Sequence, residues 1–125
     1  MKYLVLIYSN PTSWGHPTFE RTDHYLQASP AERAEMDAQF GDLMREMSTS
    51  GELVSGTPLA APDTTRVVRV EDGDTVTTDG PFAESKEQMA GFFVLDCADI
   101  DRATALAARF PDARFGRVEV RPIME

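Results

Sequence analysis

A chain of 125 residues, 42% of them hydrophobic and 26% charged, has the size and make-up of one folded domain around a single core. Its 12 Lys and Arg against 21 Asp and Glu give a net charge of −9 with no basic block, which argues against direct nucleic-acid binding and against anionic membrane surfaces. The single Cys97 excludes an internal disulfide, and no apolar run approaches the roughly 20 residues of a membrane-spanning helix, so a reducing, cytoplasmic setting is expected.

Residues 2–8 are almost continuously apolar and read as a strand buried in mid-sheet rather than as a leader peptide. Ser9-Asn10-Pro11 ends it. Residues 12–28 place Trp14, Phe19, Tyr25 and Leu26 among polar residues and predict an ordered loop with a helical turn near 20–27. Ser29-Pro30-Ala31-Glu32 is a helix start: Ser29 caps, Pro30 suits the first helical position, and Glu32 completes a capping box. Met36, Phe40, Leu43, Met44 and Met47 then form one apolar stripe, and Gly51 stops the helix.

A strand follows at 52–57. Two β-branched runs at 65–71 and 75–78 flank Asp72-Gly73-Asp74, a strong hairpin signal. Asp79-Gly80-Pro81-Phe82 and a charged stretch lead into an apolar strand at 91–97. Asp99 caps a second helix at 100–110, and residues 117–124 alternate like a strand with one solvated or interface-facing side. The order is β-α-β, a hairpin, then β-α-β. Without the hairpin this is the split βαβ pattern of an α+β, ferredoxin-like sheet with two helices on one face, in a single domain spanning 1–125. The opposite face needs a cover, and a second copy of the chain would supply it.

Asp79 is the most conspicuous acid, standing at a turn. Its carboxylate could accept backbone N–H groups in an Asx-type turn, or act as a general base or ligand contact. Phe82 is expected to plug the core. Lys86 could hold an anion beside Asp79 or belong to a solvated charged turn. His16 and His24 are acid–base candidates because imidazole titrates near neutral pH. Their spacing matches no metal motif, so no metal is expected. Tyr8 and Trp14 could line a cavity between sheet and helices, and Arg121 could hold a carboxylate across a dimer. Cys97, in an apolar strand, reads as an inert hydrophobe. Dinucleotide, P-loop and nucleophile-elbow motifs are absent, so no cofactor is expected.

The run from Asp79 to Gln88 followed by Gly91-Phe92-Phe93 resembles the signature of the DGPF-domain proteins within the YCII-related superfamily. The opening MKYLVLIY, the segment from Gly51 to Leu59 and the closing VEVRPIME resemble the same family, so the likeness spans nearly the whole chain. The resemblance implies a ferredoxin-like dimeric α/β barrel. It also implies a partner, since such proteins are often encoded beside, or fused to, extracytoplasmic-function sigma factors. Related YciI-type proteins carry an Asp and a His proposed as an active-site pair. The Asp corresponds to Asp79, whereas the His would fall near Gln39 or Phe40, where this chain has none. Two functions follow as expectations. One is small-molecule binding in the cavity between sheet and helices, with cofactor-independent proton transfer or isomerisation. The other is a regulatory accessory role toward a sigma factor, whose basic surface an acidic protein would suit.

Overall fold

A computed structural model describes residues 1–82 and 87–125. Its elements are β1 (Lys2–Ser9), α1 (Asp23–Gln27), α2 (Pro30–Ser50), β2 (Leu53–Pro58), β3 (Arg66–Glu71), β4 (Asp74–Asp79), β5 (Gln88–Asp96), α3 (Ile100–Ala107), α4 (Asp112–Phe115) and β6 (Val118–Pro122), with 3-10 turns at Pro11–Ser13, Thr18–Arg21 and Pro62–Thr64. Strands β2, β5, β1 and β6 lie in that order in one antiparallel four-stranded sheet, and β3 pairs with β4 in a separate ribbon. With the ribbon set aside, this is the ferredoxin-like strand order, as expected. Of the charged stretch from Glu84 to Gln88, residues 84–86 lie outside the described residues, and Gln88 opens β5.

Local chemistry sets most boundaries. Ser29 accepts from the Glu32 amide while the Glu32 carboxylate accepts from the Ser29 amide, so both halves of the capping box form. Asp99 likewise accepts from the Arg102 amide and opens α3. Asp72 and Gly73 both take positive φ, 51° and 81°, the backbone a two-residue hairpin turn demands. Helix α3 ends earlier than its stripe predicts, at Ala107. Residues 112–115 then form the separate short α4, because Pro111 interrupts the backbone ladder.

One sheet face carries the core. Tyr3, Val5 and Ile7 of β1 and Leu95 of β5 pack on Leu43 and Met47 of α2 and on Ala103, Leu106 and Phe110 of the α3 region. The alternate residues of the same strands, Leu4 and Leu6 of β1 and Phe92 and Val94 of β5, sit opposite one another on the other face by the pairing register. That face has a polar flank of Glu119 and Arg121, which pair with Leu6 and Leu4.

An ion pair closes the sheet's far end. Arg102 donates to Glu52 through both Nε (2.8 Å) and Nη2 (2.9 Å), and the Ser50 hydroxyl adds a third bond to the same carboxylate. The guanidinium holds the Glu52 carboxyl down to about 2, so the pair stays ionised through mildly acidic and neutral pH. Cys97 is buried beside it, and burial pushes its thiol up, consistent with an inert packing role.

Phe82 departs from expectation. It is 88% exposed rather than packed in the core. The turn that carries it is set by local backbone hydrogen bonding: the Gly80 amide, at φ 93°, donates to the Thr65 carbonyl at 2.7 Å. This closes the base of the ribbon and leaves Phe82 on the surface.

Candidate functional site

The stretch 10–28 crosses the end of the sheet and is fastened at several points. Phe19 is buried, its ring 5.3 Å from Phe40 of α2 and 5.8 Å from Tyr25. The Tyr25 hydroxyl donates to Asp37 at 3.0 Å, and Arg33 Nε donates to the Tyr25 carbonyl at 3.0 Å. At the other end, Trp14 Nε1 donates to the Leu59 carbonyl at 3.1 Å, and His16 Nε2 lies 2.8 Å from the same oxygen. The two rings meet edge to face at 6.3 Å.

That arrangement decides the histidine's tautomer. A carbonyl oxygen only accepts, so His16 Nε2 must carry hydrogen, and in the neutral ring Nδ1 is the lone-pair nitrogen. The Leu59 backbone is itself fixed, its amide donating to the Ala90 carbonyl at 2.8 Å. Ala90 is the extra residue of a bulge: Ile7 pairs with Gly91 and Tyr8 with Met89, leaving Ala90 between them unpaired.

Beneath this stretch lies a cavity of about 360 Å³, at the small end of the range for small-molecule sites, roughly 300–1,000 Å³. Its walls are mostly apolar: Ile7 and Phe93 from the sheet, Phe40 from α2, and Phe110 ahead of α4. The Phe93 and Phe110 rings are 5.0 Å apart, and Phe40 lies 6.2 Å from Phe110. The polar lining comes from His16, Thr18, Thr57 and Asp112. Among the described residues no lysine or arginine lines it.

Asp112 is the unusual member. It is only 7% exposed, and its carboxylate accepts from the Thr18 hydroxyl. Burial pushes its carboxyl up from the ordinary aspartate value, against the opposing pull of the Thr18 bond, of its own backbone amide and, least, of nearby His16. An acid held toward its neutral form therefore shares a cavity with a base of defined tautomer. A carboxyl perturbed by burial within a cleft is a recurring mark of functional sites.

Asp112 also lines a second, polar cleft of about 670 Å³, together with Tyr8, Asp23, His24, Glu87 and Arg114. His24 stacks on Phe115 at 4.3 Å, and Arg114 donates to Gln39 at 2.9 Å. The Tyr8 hydroxyl is pushed up by burial and then by the nearby Glu119 carboxylate.

The structure thus divides the residues singled out from sequence. His16 and Trp14 meet at the Leu59 carbonyl beside the apolar cavity, while His24 and Tyr8 border the polar cleft. Arg121 is on the outer sheet face. Asp79 stands at the base of the ribbon with its side chain 92% exposed, 3.9 Å from Arg66 Nε, in a hollow lined by Pro11, Asp63 and Pro81. It shares neither cavity with the histidines. Lys86 lies outside the described residues. Among the described residues no group of three His, Cys, Asp or Glu is placed to hold a metal ion, and no helix is long and apolar enough to cross a membrane.

Sequence reasoning missed Asp112 and Thr18. The available signal was an acid between Phe110-Pro111 and Ala113, but such an acid ordinarily caps a helix in water. Its burial depends on Thr18, 94 residues away in sequence.

A family model of the YCII-related domain matches residues 1–125. An uncharacterised protein of Rhizobium meliloti (strain 1021) is similar to this chain, 31% identical over 128 residues, covering 98% of this chain and 92% of that relative.

Proposed function

The chain belongs to the YCII-related domain family, and from that premise we propose that it binds a small molecule in the cavity walled by Phe40, Phe93 and Phe110 and moves a proton on it without a cofactor. The observation that carries this reading is that the buried Asp112 and His16 line the same apolar cavity. His16 Nδ1 is the base and Asp112 the acid, while Thr18 orients the carboxyl through its hydroxyl bond. Asp79 and Arg121 stand outside this centre, and His24 and Tyr8 border the polar cleft through which Asp112 meets solvent.

Binding is read from the emission of Trp14, the chain's one tryptophan, which contacts His16. Neutral 2-naphthol should give a saturable change. Its anionic analogue 2-naphthoate should bind about tenfold more weakly or worse, a difference of roughly 1.4 kcal/mol, because no lysine or arginine among the described lining residues offsets a buried charge. No saturable change with either compound would contradict the cavity as a binding site.

Dimerisation through the outer sheet face is part of the same proposal. Leu4, Leu6, Phe92 and Val94 line up there on strands whose core helices all lie on the opposite side. The β3–β4 ribbon exposes Val68 and Val70, and an isolated two-stranded ribbon is only marginally stable in water. Light scattering at micromolar concentration should return twice the 13.8 kDa chain mass, and a monomer at every concentration would rule the pairing out. The other reading, an accessory protein for an extracytoplasmic-function sigma factor, rests on what the family resemblance implies and on the net charge of −9.

A further inference from the structure

The chemistry of the cavity narrows what it accepts. With no lysine or arginine among its described lining residues, a carboxylate or phosphate ligand would enter unneutralised and face the Asp112 carboxyl. The aromatic walls and the modest volume suit a one- or two-ring molecule with little polar surface. Its polar complement is short: an N–H-fixed imidazole offering a lone pair at Nδ1, and a carboxyl whose Oδ1 already accepts from Thr18, which leaves Oδ2 as the oxygen that can carry the acidic proton. A lone-pair base and a proton donor bordering one apolar space complement a carbonyl group and the C–H bond next to it.

We propose that the cavity takes a neutral, cyclic, enolisable ketone and interconverts its keto and enol forms, with His16 removing the α-proton and Asp112 protonating the carbonyl oxygen. This rests on the cavity reading above. In the forward step the α C–H bond breaks and its proton goes to His16 Nδ1. The electron pair left behind forms the C=C bond, the carbonyl π pair moves to oxygen, and that oxygen takes the proton from Asp112. His16 ends as imidazolium and Asp112 as carboxylate, and the reverse step restores both. No oxidant or metal is consumed. The Leu59 carbonyl matters twice: it fixes the base's tautomer, and it remains hydrogen-bonded to Nε2–H when the ring becomes charged. Water reaches Asp112 from the polar cleft, whose wall it shares, so the acid can be reprotonated while ketone occupies the apolar side.

The test uses the intact protein with 2-tetralone in deuterated buffer, following loss of the C1 proton signal by NMR and binding by Trp14 emission. Wild-type protein should accelerate exchange about a hundredfold or more over buffer, the usual scale for a positioned acid–base pair. His16→Ala and Asp112→Asn should each remove most of that acceleration while retaining the folded circular-dichroism spectrum. If His16→Ala disturbs the loop, Asp112→Asn carries the test alone, because it keeps the Thr18 bond. Saturable binding of 2-tetralone with exchange no faster than buffer would overturn the enolisation proposal and leave the binding cavity standing. Failure of both 2-tetralone and 2-naphthol to bind would remove the cavity reading itself. Acceleration that survives both substitutions would place the chemistry elsewhere and overturn the assignment.

Discussion

Asp112→Asn is expected to make the protein more stable at pH 8 while lowering proton exchange on a bound ketone about a hundredfold or more. The two effects have one cause. Burial raises the folded-state Asp112 carboxyl above its value in the unfolded chain. For a group shifted that way, the stabilising contribution is fully present below the unfolded-state value and is lost as pH rises through the folded-state value. As pH rises and that carboxyl ionises, the wild-type fold comes to carry a buried carboxylate, whose cost the Thr18 bond, the residue's own backbone amide and His16 offset only in part. Asparagine keeps the oxygen that accepts from Thr18 and removes the charge. Its melting temperature should exceed wild type by a few degrees at pH 8 and converge with it near pH 4. The groups facing Asp112 from the polar cleft, Tyr8, Asp23, His24, Glu87 and Arg114, are unchanged in both proteins, so the difference curve isolates the one carboxyl. A thermal scan across pH reads this directly. Equal melting temperatures at both pH values would mean that Asp112 is solvated and unfit to act as the acid.

Gly56→Val is expected to weaken ligand binding without unfolding the protein. Gly56 pairs with Phe93 across β2 and β5, and a Cβ there would lie 2.7 Å from Phe93 Cε1 and 2.8 Å from Cδ1. The ring must move, and the open volume beside it is the cavity that it lines. Valine suits an edge strand in its own right, so the cost falls on the cavity rather than on the sheet. The affinity for 2-naphthol should fall about tenfold or more, with the circular-dichroism spectrum preserved. Undiminished affinity would show that the ring's position does not shape the site.

Much of the architecture is legible in the residues because its causes are local. The Ser29–Glu32 capping box, the Asp99 cap, the Asp72-Gly73 turn and the apolar run of β1 each act within a few positions, and each forms as read. The site is legible only in part. Trp14 and His16 stand out in composition, but what joins them is the Leu59 carbonyl, 45 and 43 residues away. Asp112 gains its character from burial against Thr18 at the opposite end of the chain, which no spacing rule encodes. Asp79 attracts notice because its turn is conspicuous, yet a turn of that kind closes a ribbon whether or not it serves chemistry. Phe82 shows the converse limit: an aromatic residue invites a core assignment, whereas its neighbours' backbone bonds keep it on the surface.

The most direct measurement is a crystal structure of the protein grown with 2-naphthol. The expected result is the naphthol ring held among Phe40, Phe93 and Phe110, with its hydroxyl within hydrogen-bonding distance of Asp112 or His16. Naphthol bound only elsewhere, or a cavity closed by its own side chains, would contradict the central claim.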